Sequence, residues 1–387
     1  MRIYLDYNAT TPPLPEAIDA MTAALTTDFG NASSVHAFGQ RAKAIVDDAR
    51  GAVASLIDAD PSEIVFTGSG TEADNLALRG AAEALAPSGR RHIVTTGIEH
   101  EAVLNTCRAL EKQGWRLTVL GAGSDGIVAA DALRAVITRE TALVSVMHAN
   151  NETGAIQPVA SLAAIAREHG AVFHTDAIQS AGKIPVSTRQ LGADLLAISA
   201  HKFGGPKGAG ALWVRRGVRL VATMTGGRQE RSRRAGTENV PAIAGMGAAA
   251  RVARVHLDAG PLVAARRDRL ESGILTSVAG TAINGDRDRR VPNTTNISFD
   301  GVEAESLLIA LDLEGVAVST GSACSSGSLE PSHVLKAMGL PNARTRNALR
   351  FSLGARTTDA EIDAVIAVLP SLVGKLRQLG RTAAALR

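Results

Sequence analysis

The chain has 387 residues, 45% of them hydrophobic, enough for a large core and pointing to two domains or one large α/β unit. Lysine and arginine number 41 against 38 acidic residues, a formal net charge of +3, so the charge balance excludes a strong pull toward nucleic acid or an anionic membrane. Two cysteines, Cys107 and Cys324, exclude a disulfide scaffold and a four-cysteine zinc site, and no metal site is expected.

The N-terminal stretch MRIYLDYNATTPP has no apolar segment of the signal-peptide kind. No apolar run approaches the ~18–20 residues needed to span a bilayer. A soluble protein in a reducing, cytoplasmic setting is expected, with no membrane partner. From about residue 40 to 260, short β-branched runs alternate with alanine-rich helical stretches. The helix AIVDDARGAVASLI (44–57) comes first. Strands are predicted at EIVFT (63–67), RHIVTT (91–96), RLTVL (116–120), ALVSVM (142–147), AVFHT (171–175), DLLAIS (194–199) and GALWVR (210–215), with the helix SLAAIAREH (161–169) among them. Such alternation implies an α/β fold with a mostly parallel seven-stranded sheet covered by helices on both faces. GALWVR follows a short glycine-rich loop and reads as an antiparallel addition. After HLDAGP (256–261) come a helix at 262–278, the strand NTTNISF (293–299), a helix at 303–313, VAVST (316–320), LRFSLG (349–354) and a last helix from 357. This is the pattern of a smaller α+β domain. The expected division is a large domain over 13–258 and a small one built from 1–12 and 259–387.

Unusual polar residues come directly after the predicted strands: GSGTEADN (68–75), GIEHEAV (97–103), HANNETG (148–154), DAIQSAGK (176–183) and AHKFGGPKG (200–208). Ligands of open parallel sheets bind outside the carboxyl ends of the strands. In GSGTEADN, Thr71 is expected to cap the following helix, with Asp74 three residues on; the turn is either an anion site or an ordinary N-cap. It is neither a P-loop nor a dinucleotide fingerprint. Lys202 follows an apolar strand, where desolvation would free its amine for Schiff-base chemistry; the alternative is a surface lysine. Ser199 and His201 flank it. Asp176 with Gln179 reads either as a helix cap or as a buried carboxylate awaiting a cationic partner. His100 and Asn151 read either as ligand contacts or as turn residues, and Cys107 as a packed helix residue. Cys324 sits in STGSACSSGS (319–328), among small side chains that offer nothing to pack against. A thiol there is either incidental or a nucleophile that must reach a substrate.

A strand-end lysine, an aspartate for a ring nitrogen, a phosphate-binding helix start and a stacking histidine are together what pyridoxal phosphate requires. At these residues the sequence resembles the cysteine desulfurases of the NifS/IscS type, in the class V aminotransferase group of pyridoxal phosphate (PLP) fold-type I enzymes. The matching stretches are YLDYNATTP (4–12), SGTEADN (69–75), EHEAV (99–103), NNETG (150–154), DAIQ (176–179), SAHKFGGPKG (199–208), RAGTEN (234–239), GSACSSGSLEPSHVL (321–335) and RFSLG (350–354), covering nearly the whole chain. By this resemblance Lys202 carries the cofactor and removes the substrate Cα proton, Asp176 pairs with the ring nitrogen, Gln179 bonds the ring hydroxyl, and His100 stacks on the ring and relays a proton. Gly70, Thr71, Ser199 and His201 would hold the phosphate. Thr237 would reach the phosphate of the other subunit, which implies a homodimer. Asn151 and Arg350 would bind the substrate, Arg350 through its carboxylate. Cys324 would take sulfur from L-cysteine, leaving L-alanine and a persulfide for a sulfur-acceptor protein of iron–sulfur cluster assembly or thiolation. Ala32 in GNASSVH (30–36) and Thr320 depart mildly from the family's usual proline and serine.

Three rivals stand beside this reading: a selenocysteine lyase, a transaminase with no use for Cys324, and a non-enzymatic sulfur-trafficking scaffold. The basic run RQERSRRAGTEN (228–239) would serve nucleic-acid binding, but Glu230 and Glu238 interrupt it and a solvated loop with no stable nucleic-acid partner is expected.

Overall fold

The β-branched runs form strands close to their expected places in the computed structural model, which describes residues 2–321 and 331–385. In chain order the strands are β1 (Ile3–Tyr4), β2 (Ile64–Thr67), β3 (His92–Thr96), β4 (Arg116–Leu120), β5 (Thr141–Ser145), β6 (Val172–Asp176), β7 (Leu195–Ser199), β8 (Gly210–Val214), β9 (Thr281–Ile283), β10 (Thr294–Phe299), β11 (Val316–Ala317) and β12 (Ala348–Ser352). The central sheet has seven strands in the order β2-β8-β7-β6-β5-β3-β4. β3 to β7 run parallel, and β8 is antiparallel to both β2 and β7, as its short glycine-rich approach requires. Strands β2, β3, β5, β7 and β8 are buried along their whole length, as expected for strands covered on both faces. β1 and β9 were too short to show any periodicity.

Beside the cluster of Val65, Leu76, Leu143 and Leu195 on one face of the central sheet, two further apolar cores serve the chain. One lies around the central sheet, with Val46, Ile64, Phe173 and Ile198 among its members. The other combines Ile3 and Leu5 of the arm with Leu270, Ile297, Leu311, Phe351 and Leu369. There β10 lies between β9 and β12, both antiparallel to it, and the helices Gly260–Ser277 and Asp359–Ala385 pack together. The arm joins the halves: β1 pairs parallel with β11, while further on Thr11 N donates to His201 O and Leu14 N to Gly204 O.

The run 228–239 is not wholly a solvated loop. Glu230 is buried and accepts from Arg50 through both oxygens, at 2.7 and 2.8 Å, and from Phe66 N at 2.8 Å. The Arg50 guanidinium also lies over the Phe66 ring, 4.7 Å from its centroid. This pair holds three consecutive non-glycine residues left-handed: Glu230, Arg231 and Ser232, with φ of 46°, 57° and 62°. Each would be strained if nothing held it, by about 1–3 kcal/mol. Arg50→Met should strand the Glu230 charge and destabilise the chain by ~3–5 kcal/mol, whereas the double variant Arg50→Met/Glu230→Met should recover much of that loss. Thermal unfolding of the three proteins checks this, and equal loss in single and double variants would contradict it.

Candidate active site

Lys202, Gln179, Asp176, His100 and Asn151 follow or end parallel strands at their carboxyl ends, and three of them, with Lys183, converge on or beside one residue that sequence reasoning did not single out. Asn8 is buried, and each of its polar atoms is used. Its backbone oxygen accepts from Lys202 Nζ at 2.6 Å and from Gln179 Nε2 at 2.9 Å. Its side-chain oxygen accepts from Lys183 Nζ (2.8 Å) and Asn293 Nδ2 (3.0 Å). Its Nδ2 donates to Asn151 O (3.1 Å) and Thr294 Oγ1 (2.9 Å), and its backbone N–H to Ser352 Oγ (2.9 Å). Lys202 also donates to Ala9 O at 2.9 Å.

Asp176 ends β6 in a tight turn, where Ile178 N donates to its Oδ1 at 2.8 Å, so Gln179 follows a turn rather than a helix. Burial pushes the Asp176 carboxyl up to about 7, with Asp74 adding to the effect. His100 caps the helix Glu101–Glu111, its Nδ1 accepting from Ala102 N at 3.1 Å. Burial holds the imidazole below its usual range, opposed by Asp176 and reinforced by Lys202. A neutral ring that accepts at Nδ1 carries its proton on Nε2. His201 is brought down to about 4 by burial and by lysines 202, 207 and 183.

Thr71 does not cap the helix Gly70–Leu85. Ser69 does, because its backbone is extended (φ −170°, ψ 169°) and its Oγ accepts from Glu72 N at 3.1 Å. Thr71 lies within the first turn, exposed, and shares with His100, Asn75, Arg79 and Asn105 a cavity of about 380 Å³. Gly70 is where two strand ends crowd the helix start: a Cβ there would lie 2.3 Å from Ile178 Cδ1 and 3.2 Å from Ser199 Cβ. Asp74 is fully buried rather than part of a cap, 3.4 Å from His174 Nε2, and burial raises its carboxyl well above the usual range. Cys107 is packed in its helix as expected, and burial lifts its thiol to about 12.

On the opposite side, Arg350 of β12 donates from Nη2 to Asp6 Oδ1 (2.7 Å) and from Nη1 to Asn151 O (3.0 Å). Two buried polar atoms nearby have no hydrogen-bond partner among the described residues: Arg350 Nε and Asn151 Oδ1. Thr237 is exposed and joins no part of this cluster within the chain. Cys324 lies outside the described residues.

Comparison with known proteins bears on this geometry. The profile of the family described as aminotransferase class-V matches residues 3–365. The chain belongs to that family. It is 50% identical to a cysteine desulfurase of Nostoc sp. over 97% of this chain and 94% of that one. It is 46% identical to the cysteine desulfurase IscS of Dictyoglomus turgidum, over 97% and 96% respectively. A solved structure described as a NifS-like protein superposes with a TM-score of 0.91 at 35% identity, covering 97% of this chain and all of that one. The chain is therefore an enzyme of the cysteine desulfurase group that uses pyridoxal phosphate, with the fold-type I architecture, and the scaffold reading is set aside.

The residues present fit that cofactor. A cradle without side chains at Gly70, a half-buried lysine amine held just after a strand end, and a buried carboxylate with one oxygen left for a further donor match its phosphate, aldehyde and ring nitrogen. No helix among the described residues is long and apolar enough to cross a membrane.

Asp176 also gives a stability signature. Its folded value of about 7 stands above the 3.8 of an unperturbed aspartate, so its stabilising contribution is present at low pH and lost as pH rises through 7. Relative to the wild type, Asp176→Asn should therefore gain melting temperature as pH rises from ~4 to ~7 in the cofactor-free protein. The difference between the two proteins separates Asp176 from Asp74, Glu99 and Glu152, which burial raises in the same sense, and from His92, His100, His148, His174 and His201, which burial lowers and which act in the opposite sense. A wild-type slope in the variant would refute the assignment.

Proposed function

We propose that the chain takes sulfur from L-cysteine, releasing L-alanine and leaving a persulfide on Cys324 for transfer to an acceptor protein. The observation that carries this reading beyond family membership is the pair of orphaned atoms beside the lysine site. Among the described residues, Arg350 Nε is a buried donor without an acceptor, and Asn151 Oδ1 a buried acceptor without a donor. An α-amino acid brings both complements, a carboxylate and an N–H.

When bound, pyridoxal phosphate supplies an electron sink for negative charge at the substrate Cα. The protein groups bind, orient and move protons around it. Ser199, His201, Gly70 and Thr71 would hold the phosphate, the last through the unpaired N–H groups of the helix start. Asp176 would keep the ring nitrogen protonated by supplying a buried carboxylate as its partner. Gln179 would meet the ring hydroxyl. Lys202 would be the base at Cα, and His100, neutral with a proton on Nε2, would exchange that proton with the substrate thiol. The Cys324 thiolate would attack the substrate sulfur; the substrate Cβ–S bond breaks, its electron pair stays with the carbon fragment, which takes up a proton and leaves as L-alanine, and the sulfur becomes the outer sulfur of the persulfide.

Thr237 would complete the phosphate site of a second copy. A homodimer is supported by the apolar surface of the N-terminal region, where Val35 is 89% and Phe29 65% exposed and Phe29 stacks on Phe38. The proposed small domain joins residues 1–12 to 259–387, with its own core behind it. A cytoplasmic location and an acceptor from iron–sulfur assembly or thiolation complete the reading.

The decisive assay measures sulfide and alanine released from L-cysteine in the presence of a thiol reductant. The wild type should yield both, and Cys324→Ala should keep the bound cofactor's colour but yield neither. A variant as active as the wild type would exclude Cys324 as sulfur carrier. Val35→Glu should shift the protein toward monomer in size-exclusion chromatography and weaken cofactor retention; an intact dimer would remove this surface from the interface.

A further inference from the structure

Lys183 is the polar residue of the site to which neither the motif nor the family reading gives a task. It closes the stretch DAIQSAGK, four residues beyond Gln179. Its stem lines a largely apolar cavity of about 160 Å³ with Phe203, Val252 and Leu353. Its amine turns to the other side, donating to Asn8 Oδ1 at 2.8 Å and to Gln179 Oε1 at 2.6 Å. Burial, with Lys202 and Arg350 nearby, brings that amine well below the usual lysine range.

These contacts decide which way round the Gln179 amide sits. The Asn8 backbone oxygen can only accept, and it takes one N–H of Gln179 Nε2 at 2.9 Å. Lys183 donates to the amide oxygen on the other side. The group left over is the second N–H of Nε2. We propose that Lys183 is a positioning residue for the cofactor: by holding Gln179 Oε1 it makes that N–H a fixed donor to the pyridoxal ring oxygen, and so sets the pH at which the bound cofactor loses its proton. This rests on the reading that Gln179 meets the ring hydroxyl.

The direction follows from the chemistry. A fixed donor stabilises the ionised ring oxygen. Without Lys183, Gln179 Oε1 becomes a buried acceptor with no partner, and the amide can turn to present oxygen to oxygen. Both changes favour the protonated cofactor. The other charged or titratable groups facing this region are Lys202 and His201 after β7, Asp176 ending β6, His100 after β3, Arg350 on β12 and Asp6 on the arm. All stay in place in the variants.

The test is a pH titration of the long-wavelength cofactor absorbance of the holoenzyme, with no substrate present. Lys183→Met keeps the stem that walls the cavity but removes the donor. Its midpoint should rise by about one pH unit, a tenfold change in the proton equilibrium. Because Lys183 acts through Gln179, Gln179→Met should shift the midpoint equally, and the double variant by no more than either. A wild-type midpoint in Lys183→Met, or additive shifts in the double variant, would overturn the proposal. Should Lys183→Met not fold, an unchanged midpoint in Gln179→Met does so alone. A wild type that shows no cofactor band after reconstitution would overturn both this inference and the reading beneath it.

Discussion

The buried amide of Asn8 is the constraint on which the site depends. A side chain taken from water costs about 1–3 kcal/mol for each polar atom left without a partner, so a buried asparagine persists only where each atom is met. Here the partners come from the end of β7, the turn after β6, the loop after β5, β10 with the residue before it, and β12. One residue thus fixes the lysine, the glutamine and the substrate-side asparagine with respect to one another. Their relative positions are set by the arm, not by the sheet alone.

Burial is also the common cause of the site's electrostatics. It raises Asp176, Glu99 and Glu152 and lowers His100, His201 and Lys183. In each case the charged form is disfavoured, so the pocket is poised to welcome a ligand that carries its own charges: a phosphate, a ring nitrogen and a carboxylate. The Arg350–Asp6 pair stands apart. There the ions meet at 2.7 Å, and Asp6 balances a guanidinium that would otherwise be buried alone.

The sequence was most legible where periodicity and chemistry coincide. The seven sheet strands, their polar carboxyl ends and the antiparallel β8 could be read because runs such as TALVS and VFHTD are apolar enough to be strands and end in chemistry-bearing turns. β1 and β9 were hidden by their length. The cap passed from Thr71 to Ser69 because only the backbone angles distinguish two adjacent hydroxyl residues. Asn8 and Asp6 carry no local signal, since their partners lie far along the chain, and Lys183, though only four residues beyond Gln179, has its second partner in Asn8. A clue existed for Asn8 and Asp6, which stand in the quoted stretch YLDYNATTP. Glu230 looked like an interruption in a basic loop, and only its meeting with Arg50 shows that it belongs inside.

The pairing of β1 with β11 has a consequence for how the protein comes into being. The arm is synthesised well before the strand it pairs with, which starts at Val316, and before Ser352, whose hydroxyl receives Asn8 N–H. Until those residues are made, the arm has no strand partner, and Lys202 lacks the scaffold that fixes its acceptor. Contacts this far apart in sequence form late. The central sheet can assemble while synthesis continues, but the cofactor pocket is finished only when β11 and β12 have met the arm, so cofactor binding belongs to the last stage of folding.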